Sequence, residues 1–272
     1  MEPKIAAGRH ASTLFHSRRK TLIGVIHLLP LPGSPLWKGD WAEVLERATA
    51  DARAFEQGGA DALEIENFGD VPFSKGSVSP ETVACMGAAA SAVRAAVGLP
   101  IGFNVLRNDA RAGLGLATAY RGAFIRVNVL TGAMLTDQGL IEGEAYAVLR
   151  LRRALCPQAL ILADVHVKHA VPVGPLSIEQ SARDTIERGL ADALIISGQG
   201  TGMPTDVEDV RRARKACPNA RLLLGSGVTV ENIASFLPLA DGFIVGTSLK
   251  RAGRVENPVD MKRVAAIRKA MD

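Results

Sequence analysis

Apolar and polar positions along this 272-residue chain follow a repeating order. Eight short runs crowded with Val, Ile and Leu recur, and a segment with helical start signals follows each of them. Runs of this kind are typical of strands that are buried on both faces, as in a parallel sheet covered by helices. The pattern predicts strands at residues 21–27, 62–67, 101–105, 123–129, 160–167, 193–197, 221–225 and 242–246.

Helix starts lie between these runs. Three pairs have the spacing of a capping box, in which two side chains satisfy free N–H groups at the helix start: Asp40 with Glu43, Ser177 with Gln180, and Thr205 with Glu208. Ser79 and Pro80 place a cap before a proline at the first helical position. The chain therefore alternates strictly between strands and helices.

Such alternation leaves two architectures, an open doubly wound sheet and a closed barrel. Eight units, with no GxGxxG motif after the first run, favour the barrel. Roughly 250 residues is the usual size of one such domain. We expect an α/β fold, a single (β/α)8 TIM barrel of the phosphate-binding type at residues 21–272, after a basic N-terminal tail at residues 1–20.

Polar side chains recur at the carboxyl ends of the predicted strands, where barrels place their sites. In the fifth run, period-two alternation puts Asp164, His166 and Lys168 on the face opposite the apolar residues, so these three are expected to line the barrel. The same alternation, with the strand ends, adds Glu64, Glu66, Asn104, Arg126, Asn128, His27 and Ser197. Glu64 lies below the rim, and a structural ion pair with Arg126 or Lys168 is an equal alternative for it.

Two glycine loops follow the last two predicted strands. Gly225, Ser226 and Gly227 come after the seventh, while Gly246 and Thr247 come after the eighth. Glycines let the backbone approach an anion, and free N–H groups at the next helix start favour negative charge. Ordinary strand-to-helix turns also contain glycine, but two such loops on adjacent strands favour a phosphate site.

Two further loops have open interpretations. Residues 28–35 form an apolar loop with three prolines, which fits a lid, a subunit contact or a packed connector. Residues 107–109 are three polar groups in a row, and Asp109 fits a helix cap as well as a ligand contact.

Composition excludes several classes of function. The net charge of +4 is scattered, and only 4% of residues are aromatic, which argues against nucleic-acid binding. The chain has three cysteines without a CxxC pair, typical of a reducing compartment, so a cytoplasmic location is expected. No apolar run reaches the ~18 residues of a membrane-spanning helix. The basic tail is similar to a transit peptide, although a frayed tail fits it better.

Several longer motifs carry a family resemblance. They are GVIHLLPLPGSP (24–35), ENFGDVPF (66–73), NVLRND (104–109), FIRVNV (124–129), TDQGLIEG (136–143), KHA (168–170), GQGTG (198–202) and GSGVTVEN (225–232). On these motifs the chain resembles the BtpA/SgcQ family from about Thr21 to its last helix. The resemblance implies a phosphate-binding barrel. Cyanobacterial members look like factors for photosystem I accumulation, and bacterial relatives sit among sugar-phosphate genes. It assigns no catalytic roles, and neither His166 nor the basic tail lies in these motifs.

Two functions remain open from the sequence. The first is an isomerase, epimerase or lyase acting on a phosphorylated sugar or similar small phosphate ester. Its candidate groups for proton transfer are Glu66, Asp164 and His166, with Lys168 or Arg126 stabilising negative charge. His27, Asn104, Asn128 and Ser197 are expected to bind substrate. A Schiff base on Lys168 is disfavoured, because Asp164 nearby is expected to keep the Lys168 pKa high.

The second function is a non-catalytic assembly or biogenesis factor that uses the barrel as a binding platform, with the proline-rich loop as its partner surface. No cofactor is required by the sequence. A divalent metal is a further alternative, with His27, Glu66, Asp164, His166 and His169 as ligands, although no motif fixes a geometry. A homo-oligomer is expected under either function.

Overall fold

The computed structural model describes residues 14–15, 19–198, 200 and 203–272. Most of the basic tail expected at residues 1–20 therefore lies outside the described residues. Among the helices in the described ranges, none combines the length and apolar character needed to cross a bilayer.

Eight parallel strands close into a barrel. In barrel order they are β1 (Thr21–His27), β2 (Ala62–Glu66), β3 (Ile101–Asn104), β4 (Phe124–Val127), β7 (Leu160–Val165), β9 (Ala193–Ile196), β10 (Leu222–Leu224) and β11 (Gly242–Val245). The first and last strands pair directly, with Thr21 opposite Gly242. The closed ring confirms the (β/α)8 barrel and rules out the open sheet.

Helices cover the outside of the barrel. They are α1 (Trp41–Gln57), α2 (Pro80–Ala96), α3 (Ala110–Tyr120), α4 (Ala145–Leu155), α5 (Ile178–Arg183, continued by a π-helical turn at Asp184–Arg188), α6 (Val207–Ala216) and α7 (Met261–Met271). After β10 and β11 the chain forms short 3₁₀ turns, at Ile233–Ser235, Thr247–Leu249 and Arg251–Gly253.

The predicted caps can be checked individually. Asp40 accepts from the Glu43 N–H at 3.0 Å, and Ser177 accepts from the Gln180 N–H at 3.2 Å, so both N-caps are confirmed. The cap expected at Thr205 is wrong by one residue, since Asp206 caps α6. The buried Thr205 hydroxyl instead donates to the Ser226 carbonyl at 3.1 Å. It therefore holds the first glycine loop.

A second, three-stranded antiparallel sheet was not predicted. It consists of β5 (Ala133–Thr136), β6 (Gly139–Glu142) and β8 (Ala170–Pro172), in the order β6–β5–β8. Its inner face buries Met134 and Ile141 against Val129 and Val167, which follow β4 and β7. The sheet is built entirely from segments inserted in two strand-to-helix connections.

The core has two layers that determine where the site lies. One layer packs the outer faces of the strands against the helices, around Phe55, Phe103 and Phe243. The other fills the lower barrel with side chains such as Val25, Leu162 and Ile195, closed underneath by Leu14. Because the lower barrel is filled with apolar side chains, the inward-pointing polar residues are left at its carboxyl end.

Candidate functional site

A cavity of about 470 Å³ lies at the carboxyl ends of the strands. Its lining joins both glycine loops to side chains from the barrel mouth: Val25, His27, Glu66, Arg126, Lys168, Met203, Gly225, Ser226, Gly227, Thr229, Ile244, Val245, Gly246, Thr247, Ser248, Gly253 and Arg263. The structure thus brings all five residues expected to hold a phosphate to one space, and on the same face as Lys168. We call this space the loop cavity.

Two glycines of the loops lie where a side chain would not fit. Gly227 has a φ of +65°, and a Cβ there would lie 2.1 Å from the Met203 carbonyl oxygen. A Cβ on Gly246 would lie 2.5 Å from Cε1 of His27. The backbone of both loops therefore lies close to neighbouring groups, and any larger residue would displace them.

Arg263 also lines the loop cavity, although no sequence pattern predicted it as a site residue. It lies in the first turn of α7, and its Nε donates to the Ser248 carbonyl at 2.8 Å. A positively charged side chain in the first turn of a helix interacts unfavourably with the helix dipole. The position of Arg263 is therefore the feature of the sequence that could have indicated a binding role. The residue adds a positive charge to a loop system otherwise made of backbone and hydroxyl groups.

Arg126, which also lines the loop cavity, organises a buried charge cluster. Its guanidinium binds both oxygens of Asp164 at 2.9 Å and approaches Glu64 at 3.2 Å. The Asn128 amide also donates to Asp164, at 2.9 Å. Both Asp164 oxygens thus accept hydrogen bonds from Arg126 or Asn128.

Glu64 belongs to this cluster and is fully buried. Burial raises the pKa of its carboxyl to about 7, against the opposing attraction of Arg126, while Glu66 and Asp164 add repulsion. Of the two alternatives for Glu64, the structural ion pair with Arg126 is the one formed in the structure.

Glu66 stands above the cluster and faces the cavity. One of its oxygens accepts from the Asn104 amide at 2.7 Å, and the other lies 3.7 Å from Nε2 of His27. Burial, with repulsion from Lys250 and Lys168, lowers the pKa of His27 well below its ordinary value. This shift favours the neutral form of His27, whose ring packs 4.6 Å from the Phe68 ring. The Glu66 oxygen nearest His27 lies 3.7 Å away, beyond hydrogen-bond distance.

Lys168 lies beyond the end of β7 and also faces the cavity. Among ion pairs of the described residues, none within 4 Å joins its amine to a carboxylate. Burial is the largest influence and lowers the pKa of Lys168, although Glu66 and Asp164 oppose it. The expectation that Asp164 keeps this pKa high was wrong, because burial outweighs the attraction of Asp164.

The expectation that His166 lines the barrel is not met. The strand ends at Val165, and His166 has a left-handed φ of +53°, which breaks the period-two alternation. Its Nε2 lies 2.9 Å from the Ser181 hydroxyl on α5, outside the loop cavity. Within the described ranges no cluster of three or more His, Cys, Asp or Glu side chains is arranged to hold a metal ion, and the five candidate ligands are not gathered.

The other expected binding residues take different places. Asn104 and Asn128 hold Glu66 and Asp164 and line a second cavity of about 370 Å³. Ser197 lines neither cavity; its Cβ lies 3.7 Å from the position of a Cβ on Gly225. Its hydroxyl is buried and has no hydrogen-bond partner in the described part of the chain.

The structure also describes the two loops, residues 28–35 and 107–109, for which the sequence allowed more than one role. In the proline-rich loop Leu28 and Leu31 are buried, and the Leu31 N–H donates to Asp70 at 2.8 Å, so the first half of the loop is packed against the fold, while Gly33 and Pro35 are exposed. Asp109 caps α3 and accepts from the Val78 N–H at 2.9 Å, so it is structural. Arg107 lines the second cavity.

A closed ring of eight strands, with glycine loops and ionisable side chains at its carboxyl end, defines a (β/α)8-barrel protein. Within that class the chain belongs to the BtpA family, since the sequence model of the BtpA family matches residues 18–272. An uncharacterized protein of Thermococcus kodakarensis is 49% identical over 90% of this chain and 92% of its own. The photosystem I biogenesis protein BtpA of Synechocystis is 47% identical, over 92% and 87% respectively. The SgcQ protein of the Escherichia coli sgc region is 31% identical, over 90% and 92%.

Solved structures agree on the fold. A Mycobacterium tuberculosis tryptophan synthase chain superposes with a TM-score of 0.64 at 16% identity, covering 98% of both chains. The structure described as native KDPGal gives a TM-score of 0.58 at 17% identity, covering 92% of this chain and 93% of its own. At these low sequence identities, the structural similarity supports the barrel architecture alone.

Proposed function

We propose that the protein is an enzyme that acts on a phosphorylated sugar or a similar small phosphate ester. One observation carries the proposal: Glu66 and Lys168 line the same cavity as the glycine loops after β10 and β11. A phosphate held by the loops would fix the rest of the molecule near these two groups. Positioning of this kind contributes several kcal/mol to catalysis.

The phosphate would be held by Gly225, Ser226, Gly227, Gly246 and Thr247, with Arg263 adding a cation. Backbone N–H groups of glycine loops bind phosphate oxygens, and an arginine donates charge-assisted hydrogen bonds to them. Gly227 and Gly246 pack closely against Met203 and His27, which holds the two loops beside the cavity.

The chemistry would fall to Glu66 and Lys168. Many isomerases, epimerases and lyases that act on sugar phosphates remove a proton next to a carbonyl group, with negative charge developing on the oxygen. The available Glu66 oxygen would take the proton, and the Lys168 amine would donate a hydrogen bond to the developing oxyanion. Arg126, Asp164 and the two asparagines would hold these groups in place.

The proposal predicts stabilisation by small phosphate esters. We expect glycerol 3-phosphate to raise the melting temperature in a concentration-dependent way, because a ligand that binds only the folded state adds RT ln(1 + [L]/Kd) to its stability. Arg263→Ala should raise the Kd about tenfold through loss of a charge-assisted contact. Differential scanning fluorimetry measures both effects.

Arg251→Ala provides the matched control. Arg251 is an exposed arginine in the same terminal region that does not line the cavity, so its replacement should leave the Kd within about twofold. Equal stabilisation by unphosphorylated glycerol, or the same response in both arginine variants, would count against the proposal.

A second candidate function is a protein-binding platform, and one observation favours it. Leu140, Leu135 and Val171 lie directly opposite one another on the outer face of the small sheet, and all three are exposed. Contiguous exposed apolar side chains are typical of protein contact surfaces. The name of the Synechocystis relative, a photosystem I biogenesis protein, is consistent with a role in assembly.

A further inference from the structure

The second cavity adjoins the loop cavity, and the proposed phosphate site leaves it unused. Glu66 and Lys168 line both cavities, so the two spaces meet at the proposed reacting groups. One wall of the second cavity is apolar, formed by Phe68, Val71, Phe73 and Leu106. A molecule that extends from the loops past Glu66 and Lys168 would enter this space.

Three polar atoms on the lining residues of this cavity have no hydrogen-bond partner among the described residues. They are Oδ1 of Asn104, Oδ1 of Asn128 and Nε of Arg107, and all three are buried. Folded proteins leave few buried polar atoms unsatisfied, since each costs about 1–3 kcal/mol. Three at one cavity indicate a ligand that completes them.

The orientation of the two asparagines is set by their neighbours. The Asn104 amide nitrogen donates to Glu66 at 2.7 Å, and the Asn128 amide nitrogen donates to Asp164 at 2.9 Å. A carboxylate accepts and cannot donate, so each amide must direct its NH₂ group to the carboxylate and keep its carbonyl oxygen for another partner. Each of these two lining residues therefore keeps a buried carbonyl oxygen that can accept from a hydrogen-bond donor of a ligand.

We propose that the second cavity binds the ring of a ring-bearing phosphate ester, whose phosphate occupies the loop cavity. The ring lies with its apolar face against Phe68 and Phe73, and its hydroxyl or amino hydrogens bind the carbonyl oxygens of Asn104 and Asn128. This inference rests on the proposed function and narrows its substrate class. Short acyclic phosphate esters leave the second cavity unfilled and bind more weakly.

The test compares ligands of two sizes by isothermal titration calorimetry. The ring esters are glucose 6-phosphate, glucosamine 6-phosphate and adenosine 5′-monophosphate, and glycerol 3-phosphate is the short reference. We expect at least one ring ester to bind about tenfold more tightly than glycerol 3-phosphate. A preference for the two hexose esters identifies a sugar ring, and a preference for the nucleotide identifies an amino-substituted heterocycle.

Phe73→Ala tests the cavity itself. Phe73 is a half-buried loop residue with no part in the charge cluster, so the variant should fold. We expect it to raise the Kd of the preferred ring ester about tenfold through loss of the ring contact, and to leave that of glycerol 3-phosphate within about twofold. Leu36→Ala, an exposed apolar side chain on the loop after β1, is the control and should change neither value.

The two proposals fail differently. If glycerol 3-phosphate binds and responds to Arg263→Ala, but no ring ester binds more tightly, the inference about the second cavity is wrong and the phosphate site stands. The same conclusion holds if Phe73→Ala weakens all ligands equally. If none of the four esters binds, the proposed function is wrong, and the inference with it.

Discussion

At the scale of single residues, hydrogen-bond partners divide the buried charges of the barrel mouth into two groups. Arg126, Asp164 and Glu64 are bound to one another, although Arg126 also lines the loop cavity, whereas Glu66 and Lys168 lie outside this cluster and line both cavities. The sequence pattern did not separate these groups, because it predicted all five on the inward face of the barrel. The partners decide which groups remain available to a ligand.

Glu64 provides a pH-dependent prediction. The pKa of Glu64 is about 7 in the folded chain, above its ordinary value of 4.5. Between pH 4.5 and pH 7, Glu64 is therefore mostly protonated in the folded chain and mostly ionised in the unfolded chain. This raised pKa stabilises the folded chain fully below pH 4.5, and the stabilisation is lost as the pH rises through about 7. Glu64→Gln mimics the protonated form and should remove this loss.

Urea denaturation at several pH values measures the effect. Relative to Glu64→Gln, the wild-type chain should lose about 3 kcal/mol of unfolding free energy between pH 5 and pH 8. Glu46→Gln, at an exposed position of α1, should retain the wild-type pH dependence. Parallel curves for wild type and Glu64→Gln would show that Glu64 titrates normally in the fold.

His166 and Lys168 show where residue-level prediction fails. Period-two alternation holds only while the backbone stays extended, and it ends when His166 adopts a left-handed conformation. Lys168 nevertheless reaches the cavity, because the chain turns back after β7. A pattern in the sequence does not report where the strand ends to within one residue.

At the scale of elements, buried strands were the most predictable feature. All eight predicted barrel strands are present, since apolar runs covered on both faces have a strong signature. The small sheet was missed because its strands lie in connections and are only partly buried, so they lack the continuous apolar run of a barrel strand. Its outer face carries apolar side chains, so it lacks the usual alternation of a half-exposed sheet.

That outer face leads to a prediction about self-association. If it is the contact between copies of the chain, Leu135→Glu should place a charge in an apolar interface and shift the protein to a smaller oligomer. Multi-angle light scattering after gel filtration measures the mass. Leu36→Glu is the matched control, because Leu36 is 57% exposed and Leu135 is 54% exposed. An unchanged mass in Leu135→Glu would contradict this use of the sheet.

At the scale of the whole molecule, contacts between distant parts of the chain complete the barrel. Beside the paired first and last strands, Lys250 follows the second glycine loop and binds Asp51 of α1 at 2.9 Å. Asp51 also accepts from the Val259 N–H at 2.7 Å and lies 3.2 Å from Arg47. This buried pair anchors the loop after β11 to the first helix.

Lys250→Met tests the anchor. Removing the amine leaves a buried carboxylate with less compensation, and the free energy of unfolding should fall by about 3 kcal/mol. The double variant Lys250→Met with Asp51→Asn should recover part of this loss, because no uncompensated charge remains and the asparagine oxygen can still accept from Val259. Lys215→Met, an exposed lysine of α6, should have little effect, and urea denaturation compares all three.

The sequence by itself determined the alternation of strands and helices, the family and the two glycine loops, and it favoured the barrel that the pairing of the first and last strands then closed. These features depend on local periodicity and on residues close together in the chain, so they can be read without coordinates. Only the tertiary structure decided that Asp164 is bound to Arg126, that Arg263 joins the loops, and that a second cavity adjoins the first. Each of these depends on contacts between residues far apart in sequence, and burial and partner choice arise only when the chain has folded.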